Sequence, residues 1–263
     1  MQTFRLASGT EIPAMGLGTW QLRGGPKTVR TALDHGYRLV DTSGDYGTQP
    51  AVGEAIRDTA LPRGEIFLVT KVEETEDGYD ATRDRLRDLG QDYADLMLIH
   101  RPPPSGAGES IWEGLIKAKR EGLTREVGVS NYSIDQIDAV TDASGEQPAV
   151  NQIEWSPFGH SQEMLDYCRE RRIVIQSYSP LTRGERLDDP TLAEIAGRHG
   201  KTPAQVLIRW NIQLGANPVP KASTREHLAE NIDVFDFELG DEEMERLSGL
   251  NERYSALAGL AYG

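Results

Sequence analysis

Four polar residues that follow apolar runs of this sequence could together carry out proton transfer. Asp41 follows YRLV and Tyr46 lies five residues later, while Lys71 follows IFLVT and His100 follows DLMLI. A buried strand normally ends in turn residues, whereas these runs end in groups that donate or accept protons. An acid, a phenol, an amine and an imidazole at one face would form a proton-relay site. The pattern therefore indicates an enzyme.

These four groups suit the reduction of a carbonyl compound. A phenol has a pKa of about 10 and is a weak acid at neutral pH, but a neighbouring ammonium favours the phenolate. Lys71 could supply that charge to Tyr46, and Asp41 could hold Lys71 protonated. His100 could orient a substrate carbonyl. Such a site fits a reaction in which hydride reaches carbon while an acid protonates the developing alkoxide.

A parallel sheet would bring these residues to one edge. Short β-branched runs alternate with amphipathic stretches, and the predicted strands are 15–18, 38–41, 66–71, 93–100, 126–130, 149–154, 173–178 and 217–220. Eight strands alternating with eight helices predict an α/β fold, the (β/α)8 TIM barrel, with residues 1–263 as a single domain. FRL and AMGLG, joined by SGTEIP, predict an N-terminal β-hairpin at the barrel floor. An open doubly wound sheet is the alternative, but no G-x-G-x-x-G follows the first strand.

In a barrel, the carboxyl ends of the strands carry the site. The residues at these ends are polar or carry a ring: Asp41, Lys71, His100, Ser130 with Asn131, Gln152, Tyr178 and Lys221. Each has an ordinary structural explanation. Alone, Asp41 would be a helix cap, Lys71 a solvated side chain and His100 a structural histidine. Their recurrence at successive strands favours function.

Composition and charge narrow the class of protein. The net charge of −14, from 28 basic and 42 acidic residues, is unfavourable for binding nucleic acid or an anionic membrane. The opening residues lack the basic and apolar regions of a signal peptide, and no stretch approaches the roughly 18 apolar residues of a membrane helix. We therefore expect a cytoplasmic protein. The single cysteine, Cys168, excludes an internal disulfide, and we expect no metal site.

Ordered motifs give the sequence a resemblance to a known family. They are GLGTW (16–20), DTSGDYG (41–47), VGEAI (52–56), VTK (69–71), LIHRP (98–102), GVSNY (128–132), NQIEWSP (151–157), SYSPL (177–181) and VPKAST…LAENIDVFDFEL (219–239). The chain resembles the aldo-keto reductases over nearly its whole length, and among them the bacterial diketogluconate reductase and prostaglandin F synthase-like branch. The resemblance implies a monomeric (β/α)8 barrel that binds a nicotinamide cofactor across its mouth and reduces aldehydes and ketones.

The resemblance also implies a role for each site residue. Tyr46 would be the general acid and base, Lys71 and Asp41 would tune it, and His100 would position the carbonyl. The cofactor-binding residues would be Gly18, Thr19, Asp41, Ser130, Asn131, Gln152, Tyr178, Ser179, Leu181, Lys221, Ala222, Ser223, His227, Glu230 and Asn231. The substrate pocket would be formed by Trp20, Tyr46, Glu73, His100 and Arg101.

Several positions depart from the residues usual in the family. His227 stands where an arginine usually contacts the 2′-phosphate of NADPH, so we expect NADPH to be preferred and NADH to be possible. Glu73 and Arg101 stand where many relatives have tryptophans. We expect them to form an ion pair in an open, hydrophilic pocket; the alternative is that both face solvent. The short tail, 252–263, predicts broad specificity for small carbonyl compounds, and Tyr262 is a further aromatic candidate for the pocket.

The sequence leaves two other functions open. A nucleotide-sensing regulatory protein would keep the fold with little turnover, and the potassium-channel β subunits resemble this family. A Schiff-base lyase would instead use Lys71 as a nucleophile at a strand end. The intact set of Asp41, Tyr46, Lys71 and His100 favours the reductase over both.

Overall fold

A short hairpin and eight parallel strands form the sheets of the protein. The computed structural model describes residues 2–257, 259–260 and 262; Met1, Ala258, Ala261 and Gly263, which belong to the predicted domain 1–263, lie outside the described residues. The hairpin strands are β1 (Thr3–Arg5) and β2 (Glu11–Pro13). The parallel strands are β3 (Leu17–Gly18), β4 (Leu39–Asp41), β5 (Phe67–Val72), β6 (Ala94–Ile99), β7 (Thr124–Ser130), β8 (Val150–Glu154), β9 (Val174–Tyr178) and β10 (Asn217–Pro218).

Helices follow the parallel strands in sequence. They are α1 (Gly25–Asp34), α2 (Gln49–Asp58), α3 (Gly78–Leu89), α4 (Glu109–Arg120), α5 (Ile134–Ser144), α6 (Gln162–Arg171), α7 (Pro190–His199), α8 (Pro203–Gln213), α9 (Arg225–Ile232) and α10 (Asp241–Ser248). The predicted count of eight was wrong, because β9 and β10 are each followed by two helices in the part of the chain that the structure describes. Local signals fix the ends: Asp77 accepts hydrogen bonds from the first turn of α3, and Gly90 ends it at φ 60°. None of these described helices is long and apolar enough to cross a membrane.

The parallel sheet closes on itself into a barrel. Its strands pair in sequence order from β3 to β10. The amides of Gly16 and Gly18 then donate to the carbonyl oxygens of Pro218 and Pro220, at 2.9 and 3.1 Å, and join the two outer strands. Glycine is required at this junction because a Cβ atom on Gly18 would lie 2.5 Å from the Val219 carbonyl oxygen. The predicted (β/α)8 barrel is confirmed.

The N-terminal hairpin covers the floor of the barrel. β1 and β2 pair antiparallel. In the turn between them, the hydroxyls of Ser8 and Thr10 donate to the buried carboxylate of Glu126, near the start of β7. Lys119 lies 3.3 Å from the same carboxylate and offsets its charge. Ile12 packs with apolar side chains of the parallel strands, among them Leu39, Phe67 and Leu96. The hairpin therefore lies opposite the strand ends that carry the candidate site, as predicted.

Large aromatic side chains fill the core outside the sheet. Trp112, Trp155 and Trp210 are fully buried in one apolar cluster. Trp112 is therefore a core residue. Cys168 is buried in the same cluster, and burial raises the pKa of its thiol to about 12, so it has a packing role.

Candidate active site

The carboxyl ends of the strands surround one cavity of about 790 Å3. Most of the predicted site residues line it: Gly18, Trp20, Asp41, Tyr46, His100, Arg101, Ser130, Asn131, Gln152, Tyr178, Ser179, Leu181 and Lys221. Lys71 is fully buried and contacts the cavity residue Asp41. Parallel strands end at the same edge of a sheet, so residues far apart in sequence meet here.

An ion pair lies at the base of the cavity. Lys71 Nζ is 2.7 Å from Asp41 Oδ1 and also donates to the Thr42 carbonyl oxygen at 2.9 Å. The same ammonium lies 4.8 Å from the centre of the Tyr46 ring. His100 contacts the other side of that ring edge-on, with 5.6 Å between ring centres. The four predicted catalytic residues are therefore neighbours.

A short 3₁₀ turn carries Tyr46 into the cavity. It spans Gly44–Tyr46 directly after β4, and Gly47 ends it at φ 68°, a conformation that favours glycine. A Cβ atom on Gly44 would lie 2.5 Å from the guanidinium of Arg85. The glycines of the DTSGDYG motif thus allow the chain to turn tightly enough to bring the phenol above Lys71.

Burial and the contact between Tyr46 and Lys71 act in opposite directions on the pKa of each residue. It raises the pKa of Tyr46, and although Lys71 lowers that pKa, the net shift is upward. Burial also lowers the pKa of Lys71, but Asp41 and Tyr46 raise it by more. Lys71 therefore favours the phenolate as expected, but burial of Tyr46 outweighs this effect. Tyr46 keeps its proton at neutral pH beside a charged ammonium, which is the state required of a general acid.

Polar side chains of neighbouring strands form a second group along the cavity. Ser130 Oγ donates to the Gln152 carbonyl oxygen at 2.8 Å, and Asn131 Nδ2 donates to Ser130 Oγ at 3.0 Å and to the His100 carbonyl oxygen at 3.1 Å. The Tyr178 hydroxyl donates to Asn131 Oδ1 at 2.8 Å. Asn131 has φ 63°, a left-handed conformation that asparagine tolerates. These bonds hold amide and hydroxyl groups in fixed positions along one wall.

A row of buried amides connects Asp41 to the floor of the barrel. Gln152 Nε2 donates to Asp41 Oδ1 at 2.7 Å and also to Gln176 Oε1. Gln176 Nε2 donates to Asn217 Oδ1 at 2.6 Å, and Asn217 Nδ2 donates to the Pro13 carbonyl oxygen at 2.6 Å. Gln176 and Asn217 were not singled out from the sequence, since polar residues inside a strand carry no signal of their partner.

Most of the remaining residues that are predicted to bind the cofactor lie on the loop after β10 and on α9. Lys221 lines the main cavity. Ser223 lines a separate groove of about 430 Å3 together with Lys27 and Arg225. His227 is exposed on α9. Among the other predicted members, Ala222 and Asn231 are buried, Glu230 accepts a hydrogen bond from Thr202, and Thr19 donates to the Asp41 carbonyl oxygen.

The predicted ion pair between Glu73 and Arg101 is wrong. Among the described residues, Glu73 contacts His100, with 2.9 Å between Glu73 Oε2 and His100 Nδ1. Arg101 turns instead towards Asp45 and Glu74, at 3.4 and 4.0 Å. The charges therefore pair differently from the prediction, because Glu73 leaves β5 beside the histidine that ends the adjacent strand.

Loops supply further cavity walls that the sequence did not reveal. Arg183, after β9, lies 5.1 Å above the Trp20 ring, and both line the cavity. Asp45 also lines it, and its place within the DTSGDYG motif was an available signal. Arg183 could not be found in this way, since its position depends on a loop with left-handed backbone at residues 182–184.

The C-terminal tail closes one side of the cavity through Leu257 and Gly259. Glu154, at the end of β8, holds the tail by accepting hydrogen bonds from Ser255 Oγ at 2.7 Å and from the Ala256 amide at 2.6 Å. Tyr262 was a pocket candidate, but its hydroxyl donates to backbone carbonyl oxygens and its ring packs against Trp155. The tail is thus a wall of the pocket despite its short length.

Comparison with known proteins agrees with this geometry. A model of the aldo/keto reductase family matches residues 14–252. The chain belongs to this family. It is 43% identical over 249 residues to an aldo-keto reductase of Mycobacterium marinum, covering 92% of this chain and 88% of the relative. As a member of the aldo/keto reductase family, the chain is an oxidoreductase.

Solved structures of aldo-keto reductases share the barrel. One from Brucella melitensis is 36% identical with a TM-score of 0.90, covering 95% of this chain and 99% of that one. An aldo-keto reductase of Bombyx mori in complex with NADP is 31% identical with a TM-score of 0.90, covering 97% of this chain and 94% of that one. The family's TIM barrel is therefore the fold of this chain.

Proposed function

We propose that this protein reduces small aldehydes and ketones to alcohols with a nicotinamide cofactor, and that Tyr46 donates the proton. The observation that carries the proposal is the buried Lys71 ammonium, 2.7 Å from Asp41 and 4.8 Å from the Tyr46 ring, at the base of the cavity. A protonated phenol beside a fixed positive charge can release its proton to a developing alkoxide, since the ammonium stabilises the phenolate that remains.

The polar wall of the cavity fits a nicotinamide cofactor. Ser130, Asn131 and Gln152 offer hydroxyl and amide groups suited to a carboxamide, and the Tyr178 ring lines the cavity close to them. When bound, such a cofactor supplies a hydride to the carbonyl carbon. The Bombyx mori relative bound to NADP supports the same assignment. In this arrangement His100 orients the carbonyl oxygen towards Tyr46.

We propose that NADPH is preferred and that NADH is also used. Lys27 and Arg225 place two positive charges at the groove that Ser223 lines, which would attract a 2′-phosphate. The exposed His227 lacks the guanidinium fork that binds a phosphate with two hydrogen bonds. Discrimination against NADH should therefore be modest.

We propose broad specificity for small carbonyl compounds. Asp45, Arg101 and Trp20 give the cavity both charged and aromatic groups, which offer contacts to carbonyl compounds of different polarity. We further propose that residues 1–263 act as one domain and as a cytoplasmic monomer. The large apolar residues exposed among those described, Trp20 and Leu257, both belong to the cavity, and a reaction that consumes NADPH needs a compartment that supplies it.

Steady-state kinetics with NADPH and small aldehydes test the proposal. Tyr46→Phe should lower kcat by roughly 100-fold or more, the usual contribution of a general acid, while the cofactor Kd stays within about twofold. Tyr79→Phe is the matched control, because Tyr79 donates its phenol hydrogen bond to Glu121 at the surface. Cofactor binding without oxidation by any aldehyde or ketone would instead indicate a nucleotide-sensing protein.

A further inference from the structure

The carboxylate of Glu73 lies against the imidazole of His100 at the wall of the cavity. Glu73 Oε2 is 2.9 Å from His100 Nδ1, and Glu73 Oε1 accepts a hydrogen bond from Ser43 Oγ at 3.2 Å. The Glu73 amide donates to Glu76 Oε2 at 2.8 Å, which fixes the turn after β5. The side chains of His100 and Glu73 are 7% and 20% exposed, so water is largely kept from the contact.

This contact decides which nitrogen of His100 carries a proton. Burial raises the pKa of Glu73, but the hydrogen bond and charge of His100 lower it by more, so the carboxylate is ionised at neutral pH. An ionised carboxylate only accepts hydrogen bonds, so His100 Nδ1 must carry the proton. Nε2 is then the nitrogen that is available to hydrogen-bond a substrate in the cavity. It accepts a hydrogen bond in the neutral imidazole and donates one only in the imidazolium.

The other charged groups around His100 give an excess of negative charge. Asp45 Oδ1, on the 3₁₀ turn, lies 3.6 Å from His100 Nδ1. Arg101 follows His100 in sequence, but its guanidinium lies within 4.0 Å of the carboxylates of Asp45 and Glu74. The Tyr46 ring packs edge-on and is uncharged at neutral pH. Two carboxylates thus face the imidazole, while the guanidinium of Arg101 lies against Asp45 and Glu74.

We propose that Glu73 is a positioning residue that allows His100 to present Nε2–H to the substrate only as the imidazolium. The inference rests on the proposed carbonyl reduction. The imidazolium donates a hydrogen bond to a carbonyl oxygen, which favours reduction. The neutral imidazole accepts at Nε2, which suits the hydroxyl group of an alcohol and favours oxidation. Glu73 therefore links the protonation of His100 to the direction of the reaction.

NMR of histidine labelled with 15N tests the protonation state directly. Glu73→Gln removes the charge beside His100, and Glu74→Gln is the matched control, because it removes the same charge one residue further along. A His100→Gln sample identifies the His100 signals. In the wild type and the control, the neutral imidazole should carry its proton on Nδ1. In Glu73→Gln, a neutral imidazole with its proton on Nε2 should appear, because the glutamine amide can donate a hydrogen bond to Nδ1 whereas a carboxylate can only accept one.

Kinetics provide the functional readout. The ratio of kcat/KM for aldehyde reduction at alkaline pH to that at neutral pH should be about 3–10-fold higher in Glu73→Gln than in the wild type, because a neutral imidazole with its proton on Nε2 can still donate one hydrogen bond to the carbonyl oxygen. Glu73→Asp should restore part of the wild-type profile. Identical titrations and profiles in Glu73→Gln and Glu74→Gln would overturn the inference. If the wild type reduces no carbonyl compound, the proposed function fails, and the NMR titration still decides the role of Glu73.

Discussion

Replacing Asp41 by asparagine should destabilise the protein far more than breaking an ion pair of similar length at the surface. Lys71 and Asp41 are 2.7 Å apart, and their side chains are 0% and 5% exposed. Arg30 and Asp58 form a comparable pair at 2.9 Å, but their side chains are 36% and 52% exposed. The two pairs are similar in length but differ greatly in burial, so comparing them shows how far burial raises the cost of losing one partner.

The expected magnitude follows from the charge that is left behind. In Asp41→Asn the Lys71 ammonium stays buried, with the Thr42 carbonyl oxygen at 2.9 Å as a remaining acceptor. Removing one partner of a buried ion pair costs about 3–5 kcal/mol, whereas a surface pair contributes about 0–1 kcal/mol. For a chain of this length the larger cost lowers Tm by roughly 6–20 °C.

The pH dependence of this contribution has a definite sign. Burial lowers the pKa of Lys71, but Asp41 and Tyr46 raise it by more, so the net shift is upward. A lysine with a raised pKa contributes its full stabilisation below its ordinary pKa of about 10.4 and loses it as the pH rises through the raised value. The wild type should therefore keep this part of its stability at neutral pH and lose it in alkaline solution.

Urea unfolding followed by tryptophan fluorescence measures these differences. The set is the wild type, Asp41→Asn, Lys71→Met, the double variant and the surface control Asp58→Asn. The double variant should be less destabilised than the sum of the singles by at least about 1 kcal/mol, because it leaves no unpaired buried charge. The reasoning would be refuted if Asp41→Asn cost no more than Asp58→Asn, or if the two single changes simply added.

Two further variants test the ends of the cavity. His227→Arg should raise the ratio of kcat/KM with NADPH to that with NADH by roughly tenfold, because a guanidinium adds a charge-assisted hydrogen bond to the 2′-phosphate. His227→Gln, measured in the same way, is its uncharged control. Glu154→Gln should weaken the hydrogen bond from Ser255 and loosen the tail that carries Leu257. We expect KM for small aldehydes to rise roughly 3–10-fold, as for the loss of about 1 kcal/mol of binding, with the cofactor Kd unchanged.

Each of these two predictions has an outcome that would contradict it. An unchanged NADPH-to-NADH ratio in His227→Arg would place the 2′-phosphate away from α9. Glu185→Gln is the control for the tail, since Glu185 accepts a hydrogen bond from Tyr254 outside the cavity. If Glu154→Gln and Glu185→Gln had the same aldehyde KM as the wild type, Leu257 would have no part in substrate binding.

The sequence could predict where Asp41, Lys71 and His100 meet, because an apolar run marks a buried strand and parallel strands end at one edge. It could not predict the partner of Glu73. A residue just beyond a strand turns with the loop, and this turn is fixed by the hydrogen bond from the Glu73 amide to Glu76. The contacts that decide its direction are therefore tertiary.

The ionisation of Tyr46 shows a second limit. The sequence indicated that Lys71 would lower the pKa of the phenol, and it does. It could not indicate that burial raises this pKa by more, because the size of each effect depends on how far water is excluded. The loop walls were hidden for a related reason: Arg183 and Leu257 reach the cavity from segments that have no periodic pattern.

The hydrogen bonds in the row of amides from Gln152 through Gln176 and Asn217 to the hairpin all run in one direction. Each of these side chains donates towards the floor. A primary amide has one oxygen and one nitrogen, so turning Gln176 or Asn217 over would set oxygen against oxygen on one side and nitrogen against nitrogen on the other. The row therefore has a single favourable polarity, anchored at the Pro13 carbonyl oxygen. The hairpin therefore does more than cover the barrel floor. Through the Pro13 carbonyl oxygen it sets the orientation of the row, including the Gln152 amide that donates to Asp41.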